Sequence, residues 1–255
     1  TVRSWNVGLD FGMFNNRLQG NFDYFVRNTS DMVGPAPAKP SILGADPPKE
    51  NNSNLRTNGW ELEVRWRDHI GDFNYGVKLV MSDDIQTITR FYNPNRLLSD
   101  WCEGQKMGDI WGYQVEGIAQ SDKEMSDWLA NNKPSWGSKW AAGDVMYKDL
   151  NGDKKVNNGE NTYDNTGDLT VIGNSMPRYR FGITMDAAWK GFDFLLFLQG
   201  VGKRDFWDNS PYSTGANHGM WQAAAFKEHL DYWRPADDKN FGPNHGAFYP
   251  RPLFG

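Results

Sequence analysis

Hydrophobic and polar residues alternate strictly in the first stretch of the chain. From residue 5 to residue 13 the odd positions are apolar, and the even positions are polar or glycine. A period of two over such a length predicts a β-strand with one apolar face. Alternation resumes after Asn15 and Asn16, two residues that tolerate the left-handed backbone of a tight turn. The pattern predicts an antiparallel hairpin over about residues 4–27.

The same unit recurs twice further along the chain. Residues 60–66 and 73–81 alternate around a predicted turn at residues 69–72, and residues 179–189 and 192–198 alternate around Gly191. These stretches predict hairpins over about residues 57–83 and 178–202. The last strand is the least regular, because its second face also carries apolar residues, namely Leu195, Phe197 and Val201.

The polar face of these strands distinguishes the possible environments. One strand alternates Trp60, Leu62, Val64 and Trp66 with Glu61, Glu63, Arg65 and Arg67. Such a charged row is costly against a protein core, but suits a water-filled lumen. Aromatic residues lie towards the strand ends, as in the interfacial girdles of membrane barrels: Trp5, Trp60, Trp66, Tyr75, Tyr179 and Trp189. Each strand has about the 9–11 residues that cross a bilayer at a tilt.

The connections are short at one end of the hairpins and long at the other. The long ones cover about residues 28–56, 84–177 and 203–255. Outer-membrane barrels have short periplasmic turns and long extracellular loops, so the asymmetry predicts a transmembrane antiparallel β-barrel segment. Six strands do not close such a barrel, which begins at about eight. Prolines stiffen the first loop, at positions 35, 37, 40, 47 and 48.

Composition narrows the function classes. The formal net charge is -5, and no basic face that would bind nucleic acid is evident. Cys102 is the single cysteine, which excludes a disulfide framework and multi-cysteine zinc sites. No segment approaches the roughly 20 apolar residues of a membrane helix. The 12 Trp, 10 Tyr and 15 Phe would suit a soluble core as well as a barrel wall with aromatic loops.

One loop segment has the spacing of a calcium loop. Oxygen side chains occupy positions 1, 3, 5, 9 and 12, and position 7 would contribute a backbone carbonyl. The predicted ligands are Asp149, Asn151, Asp153, Lys155 by its carbonyl, Asn157 and Glu160. Lys154 stands where glycine is usual, and the flanks do not predict helices. A polar turn between strands is the alternative interpretation.

No catalytic constellation is evident, so the sequence does not predict an enzyme. The four histidines are dispersed and fit no metal or catalytic motif: His69, His218, His229 and His245.

Two loop helices are predicted, one beginning at the capping box Ser121–Glu124 and one from about Met220 to Trp233. Four loop tryptophans have two interpretations. They pack on neighbouring loops, or they bind a ligand by stacking on sugar rings or contact a partner protein: Trp101, Trp111, Trp207 and Trp221.

Six stretches in succession resemble the SusC/RagA family of TonB-linked outer-membrane proteins. They fall in the family's usual order and are spread over residues 6–207: NVGLDFGMFNNRLQGNFDYFVRNTSDM, LRTNGWELEVRWRD, GDIWGYQVEGIAQSDKEM, GDVMYKDLNGDKKVNNGE, IGNSMPRYRFGITMDAAWKGFDF and FLQGVGKRDFW. The resemblance implies a 22-stranded barrel plugged by an N-terminal domain and driven by TonB. It also implies a SusD-type surface lipoprotein lid, and glycans or peptides as cargo. We expect residues 1–255 to be part of one barrel domain, with the plug and the final strands absent.

Three functions follow from these observations. The leading prediction is a segment of an outer-membrane transporter that supplies barrel wall and extracellular loops for import of an oligomeric nutrient. The alternative is a secreted soluble β-protein that binds glycans through aromatic residues and holds a structural calcium ion. A surface hydrolase has the least support, because the sequence offers it no candidate residue.

Overall fold

The computed structural model describes residues 1–35, 48–214 and 226–252. Most of the regular structure is β-strand, which confirms the predicted all-β class. The strands are β1 (Val2–Met13), β2 (Leu18–Gly34), β3 (Glu50–Ile70), β4 (Phe73–Arg90), β5 (Asp109–Tyr113), β6 (Val115–Ile118), β7 (Lys133–Pro134), β8 (Val145–Tyr147), β9 (Lys155–Val156), β10 (Leu169–Asn174), β11 (Arg178–Trp189) and β12 (Phe192–Lys203). The helices are α1 (Asp122–Asn131), α2 (Pro211–Thr214) and a 3₁₀ turn (Lys227–Leu230).

Six long strands form one antiparallel sheet in the order β1-β2-β3-β4-β11-β12. Three of its five pairings are the predicted hairpins, and the chain returns from its longest connection to pair β11 with β4. The sheet does not close on itself within the described residues, because β1 and β12 each lack a second neighbour. No helix in these residues is long and apolar enough to cross a membrane.

Tight turns join the hairpins where the sequence predicts them. Asn15 and Asn16 have φ values of 55° and 64°, and Gly191 has a φ of 88°. The second turn is shorter than predicted, since His69 and Ile70 still pair with the returning strand. Gly71, at φ 59°, therefore makes that turn together with Asp72.

The strands β2, β3 and β4 extend past the predicted ends of their hairpins. The strand β2 continues to Gly34, and a register shift after Thr29 accompanies a left-handed Asp31. Side chains stabilise this irregular part: Asn54 Oδ1 accepts from the Asp31 N–H at 2.9 Å. The extensions carry many polar residues, so alternation of apolar residues does not reveal them. The predicted loops over 28–56 and 84–177 are correspondingly shorter.

The chain divides into two compact units. The sheet unit contains Thr1–Asp109 and Asn174–Asp205, and the loop unit contains Ile110–Gly173 and Phe206–Gly255. The loop unit has a buried core that consists of Ala119, Met125, Trp128, Met146 and Val156. The expectation of one barrel domain over residues 1–255 concerns the whole protein, and it stays a prediction.

The first predicted loop helix is confirmed, and the second is wrong where it can be compared. Ser121 Oγ accepts from the Glu124 N–H at 3.1 Å, so Ser121 caps α1. The second was expected from Met220 to Trp233, of which residues 220–225 lie outside the described residues. The remainder contains only the 3₁₀ turn, because the Trp233 N–H bonds to the Tyr249 carbonyl and Tyr232 forms a β-bridge with Tyr249.

Candidate functional site

The register brings the apolar residues of all six strands onto one face of the sheet. In one continuous row, Leu9 pairs with Phe22, Phe22 with Leu62, and Leu62 with Met81. Met81 in turn pairs with Phe181 of β11. No pairing moves a strand out of phase in this part of the sheet, so the predicted apolar faces merge into one surface. We call it the apolar face.

Large side chains on the apolar face are not buried by the rest of the described structure. Val7 and Leu9 are each 64% exposed, and Phe192 is 75% exposed. Trp60, Leu62, Val64 and Trp66 are only partly buried, by their neighbours within the sheet. An exposed apolar surface this extensive marks contact with a membrane or a partner.

Aromatic residues lie at both ends of the apolar face. Near the tight turns, Phe14 packs against Trp66 with 6.2 Å between ring centroids. Towards the other end, Trp5 packs against Tyr24 at 6.0 Å. Trp60 and Trp66 are six positions apart, which is about 20 Å along the strand. An apolar surface between two aromatic belts is typical of the lipid-facing wall of an outer-membrane barrel.

The opposite face carries polar and charged residues, and we call it the polar face. Lys78 Nζ lies 2.8 Å from Glu63 Oε2, and Arg65 is the pairing partner of Lys78. Apolar residues interrupt this face mainly on β12, where Leu195 and Phe197 are 71% and 57% exposed. Charges spread along adjacent strands need water or polar partners, so this face suits a hydrated lumen.

Two arginine–aspartate pairs join β4 to β11 beyond the apolar band. Arg178 donates from Nε and Nη2 to the two carboxylate oxygens of Asp83, and Arg180 pairs with Asp84. Tyr179, between the two arginines, has a left-handed φ of 53°. These pairs fix the strands at the base of the long connection between β4 and β11.

The loop unit contains a continuous group of aromatic rings. Tyr113 lies 4.7 Å from Trp136, which lies 5.7 Å from Tyr147, measured between ring centroids. Trp140 packs on the buried Trp128 at 6.0 Å. Burial raises the pKa of Tyr113 and of Tyr147, so both phenols stay neutral at physiological pH. The rings therefore form a rigid, uncharged platform.

A cavity of about 510 Å³ opens beside these rings, and we call it the aromatic pocket. Trp136, Trp140 and Tyr147 line it together with Lys139 and Arg251. None of these five residues was a predicted site residue. The two tryptophans four positions apart in a Gly/Ser/Lys-containing stretch were visible, but Arg251 is more than one hundred positions away and only folding brings it there.

Arg251 is held in place by a buried carboxylate. Its Nε donates to Asp144 Oδ1 at 2.6 Å, and its Nη2 donates to Asp144 Oδ2 and to the Lys139 carbonyl, both at 2.8 Å. The hydrogen bond to Asp144 raises the pKa of Arg251, so the guanidinium remains charged. A bidentate pair of this kind fixes the plane of the guanidinium.

The predicted calcium loop is closed by backbone N–H donors. Asp149 accepts from the N–H groups of Gly152 and Lys154, and Asn151 accepts from that of Asp153. The side chains of Asp153 and Asn157 accept from Lys155 and Gly159 respectively. Lys154 has a φ of 64°, the left-handed geometry that glycine usually provides at this position.

The described residues contain no group of three or more His, Cys, Asp or Glu side chains placed to hold a metal ion. The predicted calcium loop also relies on the side chains of Asn151 and Asn157 and on the Lys155 carbonyl, and calcium binding there stays a prediction. A further carboxylate, that of Asp168, organises this loop, and no sequence motif identifies it. It is fully buried and accepts from the N–H groups of Leu150 and Asn157 at 2.7 and 2.8 Å.

The histidines and the loop tryptophans noted in the sequence do not form a cluster within the described residues. His69 lies exposed at the end of β3, His229 contacts the Tyr212 carbonyl, and His245 contacts Gln120, whereas His218 lies outside the described residues. Trp101 packs on Phe91 and Trp111 packs on Tyr163. Trp207 is 61% exposed, and Trp221 lies outside the described residues.

Comparison with known proteins relates the chain to outer-membrane receptors. Residues 1–217 match the family described as "TonB dependent receptor-like, beta-barrel". TonB-dependent receptor P3 of Formosa agariphila is 27% identical in an alignment 215 residues long that covers 78% of this chain and 20% of that protein. TonB-dependent receptor P26 of the same organism is 22% identical over 97% of this chain and 24% of its own length.

Solved structures share the fold. The structure of the RagAB peptide transporter matches 96% of this chain and 26% of its own chain, with a TM-score of 0.64 and 20% identity. The RagAB peptide importer in the "open-open" state matches 97% and 25%, with a TM-score of 0.65 and 22% identity. The chain thus spans about a fifth to a quarter of the length of these proteins.

Proposed function

The chain belongs to the TonB-dependent receptor-like β-barrel family, whose barrels lie in the outer membrane, and we propose that it forms part of an outer-membrane transporter. In this proposal the six-stranded sheet is a section of the barrel wall. Further strands of the whole protein pair with β1 and β12, because unpaired backbone groups are not tolerated in the hydrocarbon layer.

The observation that carries the proposal is the two-faced sheet. The apolar face extends across six strands between two aromatic belts, while the polar face presents charges such as Glu63 and Lys78. A soluble sandwich would cover the apolar face with a second layer, yet Val7, Leu9 and Phe192 are largely exposed. The secreted soluble alternative is therefore the weaker one.

Orientation and cargo are part of the proposal. The tight turns at Asn15, Gly71 and Gly191 face the periplasm and the long connections are extracellular, following the usual asymmetry of these barrels. The cargo is an oligomeric nutrient, either a glycan or a peptide. The partners are TonB and a SusD-type surface lipoprotein, supported by the family membership and by the likeness to the RagAB peptide transporter.

Transport is tested in the source bacterium with the whole protein. Its deletion is expected to abolish growth on one oligomeric nutrient while growth on the corresponding monomer continues. Deletion of TonB should give the same defect, since import by this class depends on that energy coupling. A protein that purifies as a monodisperse species without detergent, or that fractionates with the periplasm, would contradict the proposal.

A weak calcium site in the loop from Asp149 to Glu160 is a second, separate proposal. The spacing of the oxygen side chains supports it, as does the left-handed backbone at Lys154. Replacing Lys154 by glycine is expected to strengthen calcium binding at least several-fold, because it removes a positive charge and a backbone strain of about 1–2 kcal/mol. Isothermal titration of the whole protein measures the affinity.

The calcium experiment has a matched control. Lys148→Gly removes a lysine just before the loop, so it should leave the affinity nearly unchanged. Absence of calcium-dependent heat in both the parent protein and Lys154→Gly would eliminate the site. The loop would then be a polar turn that its own N–H donors stabilise.

A further inference from the structure

The aromatic pocket combines a rigid apolar floor with an excess of hydrogen-bond donors. Trp136 and Trp140 are half-buried, so part of each indole ring is open to the pocket. The remaining surface of the rings packs on Tyr113, Tyr147 and Trp128. A preorganised platform of this kind loses little conformational entropy when a flat ligand stacks on it.

The polar atoms around the pocket are mostly donors. Within the described residues, the Lys139 ammonium forms no ion pair and is exposed. Three of the five N–H donors of Arg251 are bonded to Asp144 and to the Lys139 carbonyl, which leaves the two donors on Nη1 without an acceptor in the described part of the chain. Ser138 adds a hydroxyl group.

Asp144 supplies the one carboxylate among the pocket-lining residues, and its oxygens already accept three hydrogen bonds. Asp144 Oδ1 accepts from Arg251, and Oδ2 accepts from Arg251 and from the Ala141 N–H at 2.9 Å. A ligand that brings N–H donors would find few free side-chain acceptors here. A ligand that brings negatively charged acceptors would meet two cationic side chains, Lys139 and Arg251.

We propose that the aromatic pocket binds an acidic sugar unit of an oligosaccharide, such as a uronic acid. The C–H face of the sugar ring lies on Trp136 or Trp140, and its carboxylate meets Lys139 and the free Nη1 donors of Arg251. The proposal rests on the import function proposed above, and it selects acidic glycans over peptides. A neutral peptide segment would bring no charge to meet Lys139 and Arg251, and a sugar hydroxyl can accept from a donor where a backbone N–H cannot.

The test uses the whole protein purified in detergent, with tetragalacturonate as the probe. Its fully methyl-esterified form is the matched neutral ligand, since it has the same rings without the charges. We expect tetragalacturonate to bind at least tenfold more tightly than the ester, with an affinity that falls as salt increases. Titration calorimetry and tryptophan fluorescence measure both ligands.

Substitutions in the aromatic pocket test whether tetragalacturonate binds there. Lys139→Gln should weaken tetragalacturonate binding about tenfold while leaving binding of the ester unchanged, because a charge-assisted contact is lost. Trp136→Ala should weaken both ligands. Lys133→Gln, an exposed lysine of the same unit outside the pocket, is the control and should bind like the parent. If Trp136→Ala does not fold, the effect of Lys139→Gln on the two ligands serves as the test of binding in the pocket.

Three results would overturn the inference: equal affinity for the acid and its ester, binding that Lys139→Gln leaves unchanged, or preferential binding of a tetrapeptide that Lys139→Gln weakens. These assays need neither TonB nor transport. A protein that imports a nutrient in a TonB-dependent manner but fails them disproves the pocket assignment alone. A protein that binds tetragalacturonate as predicted but does not depend on TonB disproves the transport proposal alone.

Discussion

Replacing Leu79 by arginine in the whole protein is expected to lower the free energy of unfolding by about 2–4 kcal/mol. Leu79 lies on the apolar face, paired with Val64 on one side and Ile183 on the other. It is near the middle of the apolar band, where an arginine side chain must either lose hydration or reach past neighbouring residues to the membrane interface. The free-energy cost of placing an arginine on the lipid-facing wall is greatest near the bilayer midplane.

The adjacent residue provides a matched control. Val80 belongs to the same strand but lies on the polar face, where it pairs with Glu63 and is 40% exposed. Val80→Arg makes the same chemical change beside a carboxylate, so we expect a change in stability below about 0.5 kcal/mol. Denaturant unfolding in lipid vesicles and heat-dependent mobility on gels measure both variants.

The contrast between these two substitutions tests the assignment of the faces. Should Val80→Arg destabilise the protein by several kcal/mol while Leu79→Arg has little effect, the lipid would have to lie on the other side of the sheet. Equal and small effects would mean that neither face contacts hydrocarbon. Either result would remove the basis for the barrel wall.

The second large effect is expected at Asp168 in the loop unit. Asp168→Ala removes both acceptors of a fully buried carboxylate and leaves the N–H groups of Leu150 and Asn157 without partners. Both hydrogen bonds are partly buried. An unsatisfied donor costs up to about 1–3 kcal/mol, and the buried side chain is lost as well, so we expect a local destabilisation of about 2–4 kcal/mol. Hydrogen exchange of these two amides should become about 30-fold faster or more.

Asp153→Ala is the control for this experiment. Asp153 is exposed and accepts one hydrogen bond, from the Lys155 N–H at 2.8 Å. Its loss is expected to cost about 1 kcal/mol or less, because water replaces the carboxylate oxygen. If Asp168→Ala leaves the exchange at Leu150 and Asn157 unchanged, the loop is held by other contacts, such as those of the buried Val156.

The sheet was predictable because its signal is local. Alternation over residues 5–13 assigns each side chain to a face without knowledge of any partner strand. The tight turns were predictable for the same reason, since asparagine and glycine accept the left-handed backbone that a turn needs. The ends of the strands were not predictable, because the residues there are largely polar and the ladder continues through backbone hydrogen bonds.

Several features of the loop unit depend on residues outside the local sequence pattern, so that pattern does not predict them. The spacing from Asp149 to Glu160 predicts a calcium site within twelve consecutive residues, and that site stays a prediction. The loop depends on Asp168, eight residues past the motif, and no periodic signal identifies it. The helix expected up to Trp233 fails for a similar reason, since the Tyr249 carbonyl takes the N–H that the helix would have used.

By itself the sequence determined the all-β class, the three hairpins and the face on which each of their side chains lies. These properties follow from a two-residue period and from turn residues, both of which act within a few positions along the chain. Only the tertiary structure decided that β11 pairs with β4 in register, that Asp168 closes the loop, and that Arg251 lines one pocket with Trp136 and Lys139. Those contacts join residues far apart in sequence, and their energy depends on burial and geometry that arise only when the chain is folded.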